Sequence, residues 1–319
     1  MFIKNGFLPQ NKFWKYLLGS VVIIFGATVG QIPLAIAVAI KSMISGKSFP
    51  TTDIGLMTFL EPNFTLFLLM LSFVFAFVAI LIVIKYFHNQ TFLSLTTSRE
   101  KVDWKRILFS FSIWSIFTIS STIWMYYSDS EGLVLNFKLI PFLILVVIGI
   151  VMIPIQTSTE EYVFRGYLMQ GFGLLAKNKW FPLVLTSVIF GTMHIANPEV
   201  EKMGYIILVY YIGTGFFLGI ITLMDEGMEL ALGFHAANNL VGALLVTSDW
   251  SAFQTNSIFK DNSTPSVGFE ILMPILVIFP ILLFIFSKKY NWTDWREKLT
   301  GTIKINNEKE EIQNIEIHG

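Results

Sequence analysis

Three short stretches of this chain carry groups that can move protons, each against an apolar background. The first reads TSTEEYVFRGYL and holds Glu160, Glu161 and Arg165. Residues four apart on a helix share a face, so Glu161 and Arg165 can pair. Glu160 then lies about 100° round the helix, free to face a cavity and act as a general base on water. Thr157, Ser158 or Thr159 would cap a helix starting at Glu160, and its dipole would favour two carboxylates in the first turn. Gly166 would let a neighbouring segment approach closely. The second stretch, FGTMH, puts His194 at the end of an apolar helix, with Phe190 one turn earlier on the same face. The third, HAANN, sets His235 and Asn239 four apart on one face, with Asn238 on another.

Each stretch has a plainer explanation when taken alone. Glu161 and Arg165 could be one salt bridge on an interfacial helix. A histidine at a helix C-terminus is often a dipole partner. His and Asn can be interhelical glue worth about 1 kcal/mol each. Jointly they say more. The chain has four histidines; His88 falls in a loop and His318 at the tail, while the other two lie in apolar spans downstream of the acidic helix. An acid, two imidazoles and a carboxamide brought together would position a water, polarise a carbonyl and stabilise an oxyanion, which is a hydrolytic set.

Membrane helices must position these groups. Of the 319 residues, 54% are hydrophobic and only 14% are charged, and the mean hydropathy is +0.65. Apolar runs near 14–40, 65–87, 106–127, 139–156, 181–196, 205–224, 229–247 and 268–287 are of a length to cross about 30 Å of hydrocarbon. None alternates as a barrel strand would, so an all-α polytopic membrane bundle of about eight transmembrane helices is expected. Residues 158–176 are expected as a separate, partial or interfacial helix. The stretch from Trp14 to Ile40 is too long for a signal-peptide core and reads as the first membrane helix.

Lys4, Lys12, Lys15, then Lys85, Arg99, Lys101, Lys105 and Arg106, and finally Lys288, Lys289, Arg296 and Lys298 mark one side. The positive-inside rule puts both termini in the cytoplasm of a multi-pass cell-membrane protein. Residues 248–267 read as a polar outer loop and 290–319 as a solvated tail. A net charge of zero gives no electrostatic case for nucleic acid. The absence of cysteine removes disulfides, thiolate metal sites and a Cys nucleophile.

EEYVFRG (160–166), FGTMH (190–194) and HAANN (235–239) resemble the three ordered motifs of the CPBP intramembrane proteases, the CAAX prenyl protease and bacteriocin-processing enzymes also called the Abi family. No key position departs from the pattern. The likeness covers roughly 139–247, read as the core, with helices outside it in 1–138 and an outer loop, last helix and tail in 248–319. It implies a helix bundle with a buried catalytic chamber, Glu160 activating water, His194 taking part in catalysis, and His235 with Asn239 stabilising an oxyanion or holding a metal. Glu161 and Arg165 would support that geometry. Glu160, His194 and His235 could supply three ligands to Zn2+ with water as the fourth; Asn239 is a poor zinc ligand, and a glutamate mechanism without metal is slightly preferred. The expected partner is a peptide or a lipidated or membrane protein substrate, with membrane lipid around it. A non-catalytic immunity or scaffold protein and a proton-relay transporter are the competing readings; no internal repeat supports the latter. One tension stands: His194 lies late in its span and His235 early, so their depths disagree.

Overall fold

Hydrocarbon offers no partner for a backbone amide, so apolar runs of this length fold as helices that satisfy themselves. The computed structural model describes residues 1–128, 132–263, 265 and 268–304. The helices are α1 (Phe13–Ser45), α2 (Asp53–Phe59), α3 (Pro62–Tyr86), α4 (Phe92–Thr96), α5 (Trp104–Ser128), α6 (Leu139–Glu161), α7 (Met169–Ala176), α8 (Trp180–Thr192) and α9 (Pro198–Met203). They continue with α10 (Ile207–Asp225), α11 (Glu229–Leu245), α12 (Phe269–Met273), α13 (Phe279–Tyr290) and α14 (Trp295–Thr300). Three short strands, β1 (Leu133–Leu135), β2 (Val246–Ser248) and β3 (Phe259–Asp261), form a sheet in the order β1-β3-β2. The chain is an all-α membrane bundle. Six helices among the described residues are long and apolar enough to cross a bilayer. Trp180–Ala196 is apolar but shorter, and α11 has 17 residues. A total of eight crossings requires both of these.

The bundle is organised by pairs: α1 on α3, α5 on α11, α10 on α8, and α6 between α3 and α11. Small residues set the closest approaches. A Cβ built on Gly233 would lie 2.1 Å from the Ile107 carbonyl oxygen, so α11 can meet α5 there only with glycine.

Two expectations need correction. Residues 158–176 are not a separate helix. α6 runs on through a π-helical turn, Tyr162–Leu168, into α7, making one span from Leu139 to Ala176. The hydroxyls read as caps instead bond back along the helix, Thr157 to the Ile153 carbonyl at 3.1 Å and Thr159 to the Ile155 carbonyl at 2.7 Å. This back-bonding competes with capping, and no helix begins at Glu160, so no N-terminal dipole favours its carboxylate. Nor is 290–304 a solvated tail. Trp292 and Ile303 are buried, Ile303 N–H donates to the Lys177 carbonyl, and Lys179 Nζ bonds the Glu297 carbonyl. Residues 305–319, which include His318, lie outside the described part.

The end of the bundle that carries the N-terminus is tied by charge. Arg99 spans Asp225 at 3.1 Å and Glu229 at 3.0 Å, Arg106 also pairs with Asp225, and Trp292 donates its indole N–H to the same carboxylate. Asp225 and Glu229 are buried, so these contacts hold the end of α10 and the start of α11 in place.

His88 follows α3 in a loop, yet it is fully buried. Its Nδ1 pairs with Asn11 Oδ1 at 2.9 Å and its Nε2 with the Tyr167 hydroxyl at 3.1 Å. Burial, aided by the charge of Lys15, pulls this imidazole down to about 4. An unfolded histidine titrates near about 6.5, so the unfolded chain takes up its proton first as pH falls. The stabilisation is therefore complete above about pH 6.5 and is lost on going down toward pH 4, at about 1.4 kcal/mol per pH unit. In detergent, the native chain should lose more of its unfolding midpoint between pH 6.5 and 4.5 than His88→Gln does. Parallel pH curves for the two would contradict this.

Candidate functional site

α6 supplies the acids. Pro154 removes one backbone donor a turn and a half before Glu160, which favours a bend at that place. The π turn follows directly after Glu161; such turns recur at functional sites because they rotate one stretch of side chains relative to the next. Glu161 and Arg165 are wholly buried and pair through Oε1 and Nη1 at 3.0 Å, as the four-residue spacing predicts. Arg165 Nη2 donates to the Gly215 carbonyl at 3.2 Å, which anchors α10. The guanidinium also lies 4.3 Å from the Phe190 ring centroid.

α11 brings in His235, whose Nδ1–H donates to the same Glu161 Oε1 at 2.7 Å. Its Nε2 lies 3.4 Å from Glu160 Oε2. The imidazole therefore bridges the two neighbouring glutamates. The 3-10 turn that follows α8, Met193–Ala196, brings in His194, whose Nδ1–H donates to the Phe190 carbonyl at 2.8 Å, leaving Nε2 for chemistry. Phe190 packs between them, its ring 4.9 Å from that of His194 and 6.0 Å from that of His235.

Glu160, His194, His235 and Asn239 all line one cavity of about 650 Å³. The structure thus brings together four of the residues singled out from sequence, with Glu161 and Arg165 locked behind them. Asn238 was expected on a different face. It lines the cavity too, and its Nδ2 donates to Asn239 Oδ1 at 3.0 Å. The expected depth conflict between the histidines is absent, since both flank Phe190.

Sequence reasoning missed three residues. Gln156 Nε2 donates to Glu160 Oε1 at 2.6 Å, and its Oε1 accepts from Asn239 Nδ2 at 3.0 Å. A lone amide four residues before Glu160 in an apolar run was the available signal. Tyr211 stacks on His194 with ring centroids 4.2 Å apart; in so aromatic a chain nothing marked it. Glu199, in α9, accepts the Ala252 N–H at 2.8 Å and so ties the loop after β2 to the cavity. Burial pushes the Glu199 carboxyl above the usual carboxylate range. The loop expected to be a peripheral polar segment thus contributes Ser251, Ala252 and Phe253 to the cavity wall.

Among the described residues, no three His, Asp or Glu side chains gather closely enough to hold an ion. Glu160 Oε1 is engaged by Gln156, and Glu160 Oε2 lies 3.4 Å from His235 Nε2. That spacing is one that two ligands of a single zinc ion with bonds of roughly 2.0–2.2 Å also show, but no third donor gathers with them among the described residues.

Residues 136–241 match the family model described as type II CAAX prenyl endopeptidase Rce1-like. The motif resemblance to the CPBP and CAAX proteases holds over this segment, which contains all six residues named from the motifs. The chain is also similar to the uncharacterized protein YyaK of Bacillus subtilis (strain 168), with 27% identity over 246 residues, covering 76% of this chain and 81% of the relative. No solved structure gave a significant match. The family match supports an intramembrane protease of the CAAX type acting on a membrane-associated peptide or protein.

The buried pair gives a direct test. Removing one partner of a buried ion pair leaves the other charge uncompensated, at about 3–5 kcal/mol. Arg165→Met should lower the unfolding midpoint in detergent sharply, and Glu161→Gln combined with Arg165→Met should recover part of the loss. A double variant at least as unstable as the single one would mean that the pairing does not hold the site.

Proposed function

We propose that this chain is an intramembrane endopeptidase in which Glu160 activates water for attack on a peptide bond of a membrane-associated peptide or lipidated protein. The observation that supports it best is the shared cavity: Glu160, His194, His235 and Asn239 face one space, while Glu161 and Arg165 brace it from behind. Six apolar helices place that space in a bundle suited to a bilayer, and the clustered lysines and arginines beside the termini favour a cytoplasmic location for both ends.

In this reading Glu160 Oε2 takes a proton from a water seated beside His235 Nε2, and the hydroxide attacks the scissile carbonyl. Gln156 occupies Oε1, so the free lone pairs of Oε2 are the ones directed at the water. Asn239 Nδ2 spends one hydrogen on Gln156 and keeps a second for the developing oxyanion. His235 is held by Glu161 through Nδ1 and donates from Nε2 when it carries a proton there. As the C–N bond breaks, the leaving nitrogen takes up the proton that Glu160 removed, with His194 Nε2 placed to relay it. Tyr211, stacked on His194, keeps that ring from rotating away.

Loss of a general base costs about 10²- to 10⁴-fold in rate. Membranes carrying Glu160→Ala or His194→Ala should therefore release almost none of the peptides that membranes with the native protein release, as compared by mass spectrometry. Identical peptide profiles from all three would refute the peptidase and favour a binding protein of the same fold. Since the donors do not converge on one metal centre, exhaustive treatment with 1,10-phenanthroline should leave peptide release unchanged. A loss that added Zn2+ restores would overturn the glutamate mechanism.

A further inference from the structure

Glu160 is reached by a hydrogen-bond chain that begins outside the Rce1-like segment. Trp114, in α5, donates its indole N–H to Asn238 Oδ1 at 3.1 Å. Asn238 Nδ2 donates to Asn239 Oδ1 at 3.0 Å, Asn239 Nδ2 to Gln156 Oε1 at 3.0 Å, and Gln156 Nε2 to Glu160 Oε1 at 2.6 Å. Trp114 and Gln156 are buried, with 6% and 3% of their surface exposed.

The direction of this chain is fixed at both ends. An indole nitrogen can only donate, and an ionised carboxylate can only accept. Each of the three amides between them has one oxygen and one NH2 group. Because Asn238 must turn its oxygen to Trp114, its NH2 faces Asn239, which must then receive with its own oxygen. The same logic passes through Asn239 to Gln156 and leaves Gln156 Nε2 pointing at Glu160. Flipping any one amide sets two donors against each other on one side and two acceptors on the other. Such a clash is most costly at Trp114 and Gln156, which are buried.

We infer that Trp114 and Gln156 are positioning residues of the hydrolytic site: the indole sets the polarity of an amide relay that orients Asn239 and pins one oxygen of Glu160. The inference rests on the proposed role of Glu160 as the base. It gives α5 a part in the chemistry that the 136–241 segment alone would lack. It also explains why amides rather than charges surround the acid. A string of neutral groups ends in one oriented N–H on it, from Gln156, without burying another ion.

Trp114→Phe keeps an aromatic ring against Phe117 and Phe234 but removes the donor. Gln156→Met keeps the length of the side chain and removes both ends of the amide. Misplacement of a reacting group by about 1 Å can cost about 10²-fold, so Gln156→Met should slow peptide release from membranes about 30-fold and Trp114→Phe about 5-fold. The two side chains do not touch, so independent structural effects would multiply. A polarised relay predicts that the double variant is slowed by clearly less than the product of the two single effects. Rates that multiply would overturn the relay. Asn238→Leu breaks the link to Trp114 from its other side and should match Trp114→Phe; it serves if that variant does not fold. Should the native membranes release no peptide, the peptidase reading falls by itself. The same cycle read on unfolding midpoints in detergent then decides the relay, with additive shifts counting against it and coupled shifts upholding it.

Discussion

Glu161 Oε1 accepts two hydrogen bonds in a place water does not reach, from Arg165 Nη1 at 3.0 Å and from His235 Nδ1 at 2.7 Å. Burying a carboxylate costs several kcal/mol, and it persists only where oriented donors replace the lost water. Here the donors come from two elements, the π turn of the long α6–α7 span and α11. Arg165 adds a third by donating to the Gly215 carbonyl of α10. One oxygen atom thus fixes the mutual position of three segments. The rest of the site follows from it: His235 has its tautomer set, its Nε2 is directed at Glu160, and Phe190 is held under the guanidinium where it can support His194. Glu160 is the member of the acid pair left on the cavity side, while Glu161 is wholly buried behind it.

The helices outside the matched segment close the site. Thr159 Oγ1 bonds the Phe73 carbonyl at 3.1 Å, which ties α6 to α3, and Ser72 and Ala76 of α3 complete the cavity wall with Ile23 of α1. α1 is held in turn by Tyr16, which packs against His88 and Tyr167. A carboxylate base gains from such enclosure, since each polar contact strengthens as bulk water is excluded. The wall that α1 and α3 contribute carries Ile23, Ile24, Ala27 and Ala76 together with Gln31, Ser72 and Phe73.

Local spacing was legible from sequence; anything that needed the third dimension was not. The four-residue intervals of Glu161 with Arg165 and of His235 with Asn239 translate directly into shared helix faces, because a helix repeats every 3.6 residues or so. Gln156 obeys the same interval relative to Glu160, so it was readable in principle. Thr157 and Thr159 misled because a hydroxyl before an acid looks like a cap, whereas inside an apolar span the hydroxyl has only its own helix to bond. His88 read as a loop residue since nothing in its neighbours shows that the N-terminal segment folds over it. Asn238 was set aside on angle alone, although a carboxamide on the flank of a helix can still reach round to the next residue.

The apparent depth conflict between the histidines dissolves on counting helix from the terminal end of the bundle. His194 lies about four turns after Trp180, and His235 fewer than two turns after Glu229. For both to flank Phe190, α8 must begin some two turns closer to the termini than α11 does. The contacts agree. The start of α8 is clasped by the segments at the end of the described chain, with Lys179 N–H on the Gly301 carbonyl and Lys179 Nζ on Glu297. The start of α11 is clasped by the loop before α5, with Met228 N–H on the Thr96 carbonyl and Glu229 on Arg99. The docked segment after α13 reaches both places, since Trp292 also bonds Asp225 and Lys298 also bonds Glu226 between α10 and α11, so residues far from either motif hold the two helix starts together.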